Sequence, residues 1–296
     1  MHRVNPFILA LLVVLLLPGA AAAKIKVAAS TTDLASIASS VGGDEVETFS
    51  IARPTADAHR VEVLPSYMVK VSRAQIYLKV GLGLDQWADQ IIDGSRNEKL
   101  VVVDCSGGVP VLEKPTGQVN ASMGDIHPNG NPHYWLDPRN GGIVAQTIAE
   151  ALANADPTHA DAYRARADAL AKAAEEAWTQ DKALAEALPV KAMITYHRSW
   201  SYFANAFGIE VAGEAEPIPG IPPTGRHLAD LVEIVKTRKI PVFLQEPYFS
   251  SDAGQLLARD GGLRVVVTST SCDSPAAGSY LTHIHDVITA LSKTDS

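Results

Sequence analysis

The sequence predicts an α/β protein of two lobes, each built on a mainly parallel sheet, joined by one long connecting helix. Three observations carry this. Short β-rich runs alternate with helical stretches over residues 24–155, and the same rhythm returns over 190–296. Between them, residues 156–189 have no Gly, and no Pro between Pro157 and Pro189. Once a leader is set aside, roughly 270 residues remain, more than one hydrophobic core usually holds.

The elements follow in order. "KIKVAAS" is a β-rich run, and "TTDLASIASSVGG" a helix that Thr32 or Asp33 can cap and Gly42-Gly43 can end. "VETFSIA" reads as the second strand, "PSYMVKVSRA" as a helix and "QIYLKVG" as the third strand. "DQWADQIIDGS" is a helix, "KLVVVDCS" the fourth strand, and "GGIVAQTIAEALANAD" the helix that closes the first lobe. Asp156 and Pro157 suit a cap and first turn for the connector. About 30 helical residues would span about 45 Å, longer than a small lobe needs. Its apolar positions are mostly Ala, which weakens a coiled-coil reading. In the second lobe "KAMITYH", "IEVAGEA", "IPVFLQEP" and "LRVVVTSTS" are strands. "RSWSYFANAFG", "LADLVEIVKTRK", "SSDAGQLLARDG" and "YLTHIHDVITALS" are the helices among and after them.

The first 23 residues stand apart. Arg3 precedes an apolar run from Phe7 to Leu17, and small residues lead up to Ala23. That is the layout of a cleaved secretory signal, too short in its apolar part for a comfortable membrane span. The chain is therefore expected to be periplasmic or otherwise extracytoplasmic. No cysteine near the cut offers a lipid anchor. The net charge of −8 argues against nucleic acid as a partner, since phosphates demand a basic face. Cys105 and Cys272 could form one disulfide in an oxidising compartment, provided that the fold brings them together.

Ligands of open α/β sheets bind beyond the carboxyl ends of the strands. Several polar residues fall there. His59 lies past the second strand, His133 follows the Gly/Asn/Pro loop after the fourth, and His197 ends "MITYH". Glu246 ends "VFLQE", and Asp273 follows "VVVTSTSC". Three neutral imidazoles and one carboxylate suit a tetrahedral divalent ion, zinc above manganese. His127 reads as a solvated loop residue. His159, His227, His283 and His285 sit on expected helices or their ends.

Over nearly its whole length after the leader, the chain resembles the metal-binding solute receptors of ABC uptake systems, the zinc and manganese group. "STTDLASIASSVGGDEVE", "DAHRVEVLPS", "GNPHYWLDPRN", "TYHRSWSYFANAFG", "EPIPGIPPTGRHLADL" and "FLQEPYFSS" carry the resemblance. It implies two α/β lobes bridged by a long helix, metal held between them, and His59, His133 and His197 as imidazole ligands. Many relatives place an aspartate after the last strand, often in Asp-Pro-Leu-Gly. Here that position falls near Ser269, with Asp273 a few residues on, so Glu246, Asp273 or water is left as the fourth ligand. The long His-rich loop of some zinc receptors is reduced to a stretch with His127.

The expected function is extracytoplasmic capture of Zn2+ for delivery to a membrane permease, with Mn2+ or Fe2+ as the alternative cargo. A soluble metallochaperone would be a second partner, and the receptor itself is expected to be a monomer. A zinc hydrolase with Glu246 as general base is the rival from another class. The chain carries neither the HExxH pair nor the Gly-x-Ser-x-Gly elbow common in hydrolases.

Overall fold

The structure, a computed structural model, describes residues 23–117, 124, 127–189 and 191–293. The expected leader thus lies, except for Ala23, outside the described residues. No helix among the described residues is long and apolar enough to cross a membrane.

Among the described residues, eight strands form two four-stranded sheets, and every pairing between these strands is parallel. The first holds β1 (Ile25–Ala29), β2 (Val46–Ser50), β3 (Ile76–Lys79) and β4 (Val101–Asp104) in the order β2-β1-β3-β4. The second holds β5 (Ala192–Thr195), β6 (Glu210–Glu214), β7 (Val242–Gln245) and β8 (Arg264–Val267) in the order β6-β5-β7-β8. The two halves share one topology. Parallel neighbours need crossovers, and helices supply most of them. In the first lobe these are α1 (Thr32–Gly42), α2 (Pro65–Val71) and α3 (Trp87–Ser95). In the second they are α6 (Ser201–Phe207), α7 (Gly225–Arg238) and the short α8 (Asp252–Leu256).

Local chemistry sets the ends. Thr31, rather than Thr32 or Asp33, caps α1: its backbone is extended and its side chain accepts from the Leu34 N–H. Asp137 caps α4 (Pro138–Ala155), with Pro138 in the first turn. Asp156 caps a single 3-10 turn over Pro157–His159, and only then does α5 (Ala160–Glu186) begin. The connector is therefore 27 residues, about 40 Å, and starts later than expected. Proline fixed the first turn, but a tight 3-10 turn absorbs it.

Helices α4 and α5 lie close together, since a Cβ on Gly142 would meet Ala171 at 3.0 Å. Around them one apolar core runs from Val27, Ile76 and Leu78 of the first sheet to Met193, Leu244 and Val266 of the second, with α9 (Ser279–Ser292) contributing Ile284 and Val287. Both cysteines are free and buried, so the disulfide considered from the sequence is absent.

Candidate metal centre

The loops after β2 and β4 and the end of β5 bring His59, His133 and His197 together. One donor atom from each lies within 4.8 Å of the others. The ring centroids of His59 stand 5.0 Å from His133 and 5.4 Å from His197. No other group of three or more His, Cys, Asp or Glu donors converges in this way among the described residues.

Each imidazole is held by its Nδ1. Asp57 Oδ1 accepts from His59 Nδ1 at 2.8 Å and from the His59 backbone N–H at 2.9 Å. Asn131 Oδ1 repeats the arrangement on His133, at 2.9 Å and 3.0 Å. Glu216 Oε2 accepts from His197 Nδ1 at 2.7 Å. An acceptor on Nδ1 places the proton there and leaves the lone pair on Nε2. His59 Nε2 is buried with no hydrogen-bond partner, as expected of an atom kept for a ligand. The Asn131 amide cannot turn over, because its Nδ2 donates to Glu113 Oε2 and the Arg198 carbonyl.

Burial governs the protonation states. Desolvation, reinforced by the neighbouring imidazoles, holds His133 well below the usual histidine range, so it stays neutral. Burial alone would also lower His197, but the Glu216 hydrogen bond and the charges of Glu246, Glu216 and Asp57 outweigh it and raise the pKa. Glu246 lies directly after β7 and is fully buried. Burial pushes its carboxyl up to about 7, against the pull of His197, Ser199 and Trp200. Trp200 Nε1 donates to its Oε1 at 3.1 Å. His197 and Glu246 thus follow β5 and β7, the neighbouring strands between which the strand order reverses, where open sheets bind ligands.

Glu246 acts on His197 through its charge but is not one of the three converging donors, and the remaining sequence candidates lie elsewhere. His127 stacks on His59 with centroids 5.2 Å apart, outside the converging three. Asp273 is exposed and borders a surface depression with Thr282, His283 and Asp286. Its segment is tied to α1: Thr32 Oγ1 donates to the Cys272 carbonyl at 2.6 Å, and the Cys272 N–H donates to Asp33 Oδ1 at 3.1 Å. Ser269, near which the resemblance would put an aspartate, gives its hydroxyl to the Pro54 carbonyl. Tyr134 and Trp135 are fully buried behind His133, and Trp135 Nε1 donates to the Thr270 carbonyl at 2.7 Å.

Asp57, Asn131 and Glu216 were not foreseen from the sequence. For two of them a signal exists. "DAH" and "NPH" both place Asp or Asn two residues before a ligand histidine, the spacing at which an Asx side chain reaches a backbone N–H two residues on. Glu216 has no such local signature.

Comparison with known proteins agrees with this architecture. The family model described as ZnuA, zinc-uptake complex component A periplasmic, matches residues 27–294. The iron-binding protein YfeA of Yersinia pestis is 27% identical over 292 residues, covering 93% of this chain and 88% of its own. The manganese ABC transporter substrate-binding lipoprotein PsaA of Streptococcus pneumoniae is 26% identical over 249 residues, covering 82% and 78%. A crystal structure of ZnuA superimposes with a TM-score of 0.79 at 24% identity, covering 92% of this chain and all of that one. The matched length, the doubled parallel sheets and the converging imidazoles place the chain in the ZnuA family of metal-binding receptors of ABC uptake systems, which are not enzymes.

Proposed function

We propose that the chain captures Zn2+ outside the cytoplasm and delivers it to the permease of an ABC transporter. The observation that carries the choice of zinc is the convergence of three imidazoles with their Nδ1 atoms already engaged. Neutral nitrogen donors favour zinc over calcium and magnesium, and a site richer in carboxylates would favour manganese. Iron and manganese relatives make those ions the competing cargo. Glu246, fully buried and coupled to His197 by its charge though outside the converging three, is the proposed fourth donor. Asp273 would need its tethered segment released before it could serve.

Capture by ligands from both lobes ties occupancy to their relative pose, which a permease can sense. Tetrahedral zinc with nitrogen ligands at about 2.0–2.1 Å needs nitrogens about 3.3 Å apart. The donors already stand within 4.8 Å, so closure is small.

The test is calorimetric titration of the metal-stripped protein with zinc and manganese in parallel. One tight zinc site is expected, weakened at least 100-fold by His59→Ala, His133→Ala or His197→Ala, and weakened also by Glu246→Ala but not by Asp273→Ala. Tight manganese with weak zinc would move the protein to the manganese branch. Binding of neither ion would remove the capture function.

A further inference from the structure

The loop that follows β6 bears on the site in a way not contained in the ligand set. Glu216 Oε2 serves two donors at once: His197 Nδ1 at 2.7 Å and the backbone N–H of Gly220 at 3.0 Å. Gly220 sits in the tip "PIPGIPP", residues 217–223, with φ at +79°, a conformation that favours glycine. The tip is closed by a bond from the Ile221 N–H to the Ile218 carbonyl at 2.9 Å. Pro217, Pro219, Pro222 and Pro223 fix φ at four of its seven positions and so restrict its backbone. Glu216, Gly220 and Pro222 line the same cleft as His59 and His197. Ile218 and Ile221 are exposed at 37% and 47%, which leaves the tip open to contact from outside.

We infer that Glu216 is the positioning residue for His197, and that the proline-rich tip sets Glu216 through the Gly220 N–H and so controls how firmly the ion is held. With the tip in place, the shared oxygen orients the imidazole and keeps its proton on Nδ1. Displacing the tip withdraws one donor from the carboxylate and lets it leave His197. One ligand loosens while His59 and His133, held by the other lobe, stay in place. That gives release at neutral pH without protonating the site. This extends the capture function proposed above and presupposes His197 as a ligand.

The experiment is stopped-flow release of zinc to excess EDTA, followed with a chromophoric indicator. Parent, Glu216→Ala, Glu216→Gln, Gly220→Ala, the Glu216→Ala/Gly220→Ala pair and an Ile221→Ser control are compared, with Co2+ absorption reporting the site's geometry. Removing the acceptor on a ligand imidazole should speed release about 10- to 100-fold. Glu216→Gln should recover part of this, since its amide oxygen still accepts from Nδ1. Gly220→Ala should also speed release, Ile221→Ser should not, and the double variant should be no faster than Glu216→Ala alone, because Gly220 acts through Glu216. Should Gly220→Ala fold poorly, Pro222→Gly/Pro223→Gly loosens the tip without a strained φ and should likewise speed release. Unchanged release from the tip variants, or effects that multiply in the double variant, would overturn the inference. A parent that binds no zinc would instead overturn the capture function.

Discussion

At the scale of single residues, the site is organised by groups that hold the imidazoles from behind. The same burial that fixes His133 as neutral strains Glu246, whose carboxyl is pushed from an ordinary value near 4.5 up to about 7. A carboxyl raised in the folded state binds its proton more tightly there than in the unfolded chain. Its contribution is full below pH 4.5 and is lost as pH rises through about 7, a change on the order of 3 kcal/mol. Glu246→Gln, neutral at every pH, should remove that dependence. In urea unfolding of the metal-free protein, the stability of parent minus variant should fall between pH 5 and pH 8. A difference that stays flat with pH would mean that Glu246 is charged without penalty.

At the scale of elements, backbone geometry behind His133 depends on close contacts. A Cβ on Gly141 of α4 would fall 2.3 Å from the Tyr280 ring. That ring is not free to retreat, because the Tyr280 hydroxyl donates to the Trp135 carbonyl at 2.6 Å. Gly141→Ala should therefore cost about 1–3 kcal/mol in thermal or urea unfolding and weaken zinc binding through the displaced Trp135. A variant with parent stability and affinity would show that the ring relocates freely.

The strands were legible as short, mostly apolar runs, clearest in β4 (VVVD) and β8 (RVVV), and the segments past their carboxyl ends drew attention to His59, His133, His197 and Glu246. Less legible was whatever depends on contacts distant in sequence. Nothing local says that Thr32, Ser36 and Ser39 would seize the segment after β8 and keep Asp273 out of the cleft, or that Glu216 would reach back to His197. The start of α5 was misplaced for a smaller reason, a proline turn that can be read as either kind of helix.

At the scale of the whole molecule, the lobes are stitched as well as bridged. Ser36 Oγ donates to the Ala276 carbonyl and Ser39 Oγ to the Pro275 carbonyl, both at 2.7 Å, while the Tyr280 N–H donates to Ser36 Oγ at 3.1 Å. With a shared core and α5 alongside, these bonds leave room for tilts and not for a wide hinge. Zinc should change the radius of gyration in small-angle scattering by less than about 1 Å. The combined Thr32→Val, Ser36→Ala, Ser39→Ala variant should enlarge that change and lose about 1 kcal/mol of stability per bond. A parent that contracts by several ångströms would contradict the stitched arrangement.

Asp57 and Glu216 carry a further consequence. Each stands one imidazole away from the converging nitrogens and holds its histidine without belonging to the converging set. Before loading, these two carboxylates thus stand beside Arg60 in the lining of the cleft and add negative charge next to the imidazoles, in a chain whose net charge is already −8. An approaching dication is drawn in over a distance set by ionic screening, about 8 Å at physiological salt. Added salt should slow capture more than it slows escape, because escape begins with bonds at short range. Scavenging should therefore be quickest in dilute surroundings.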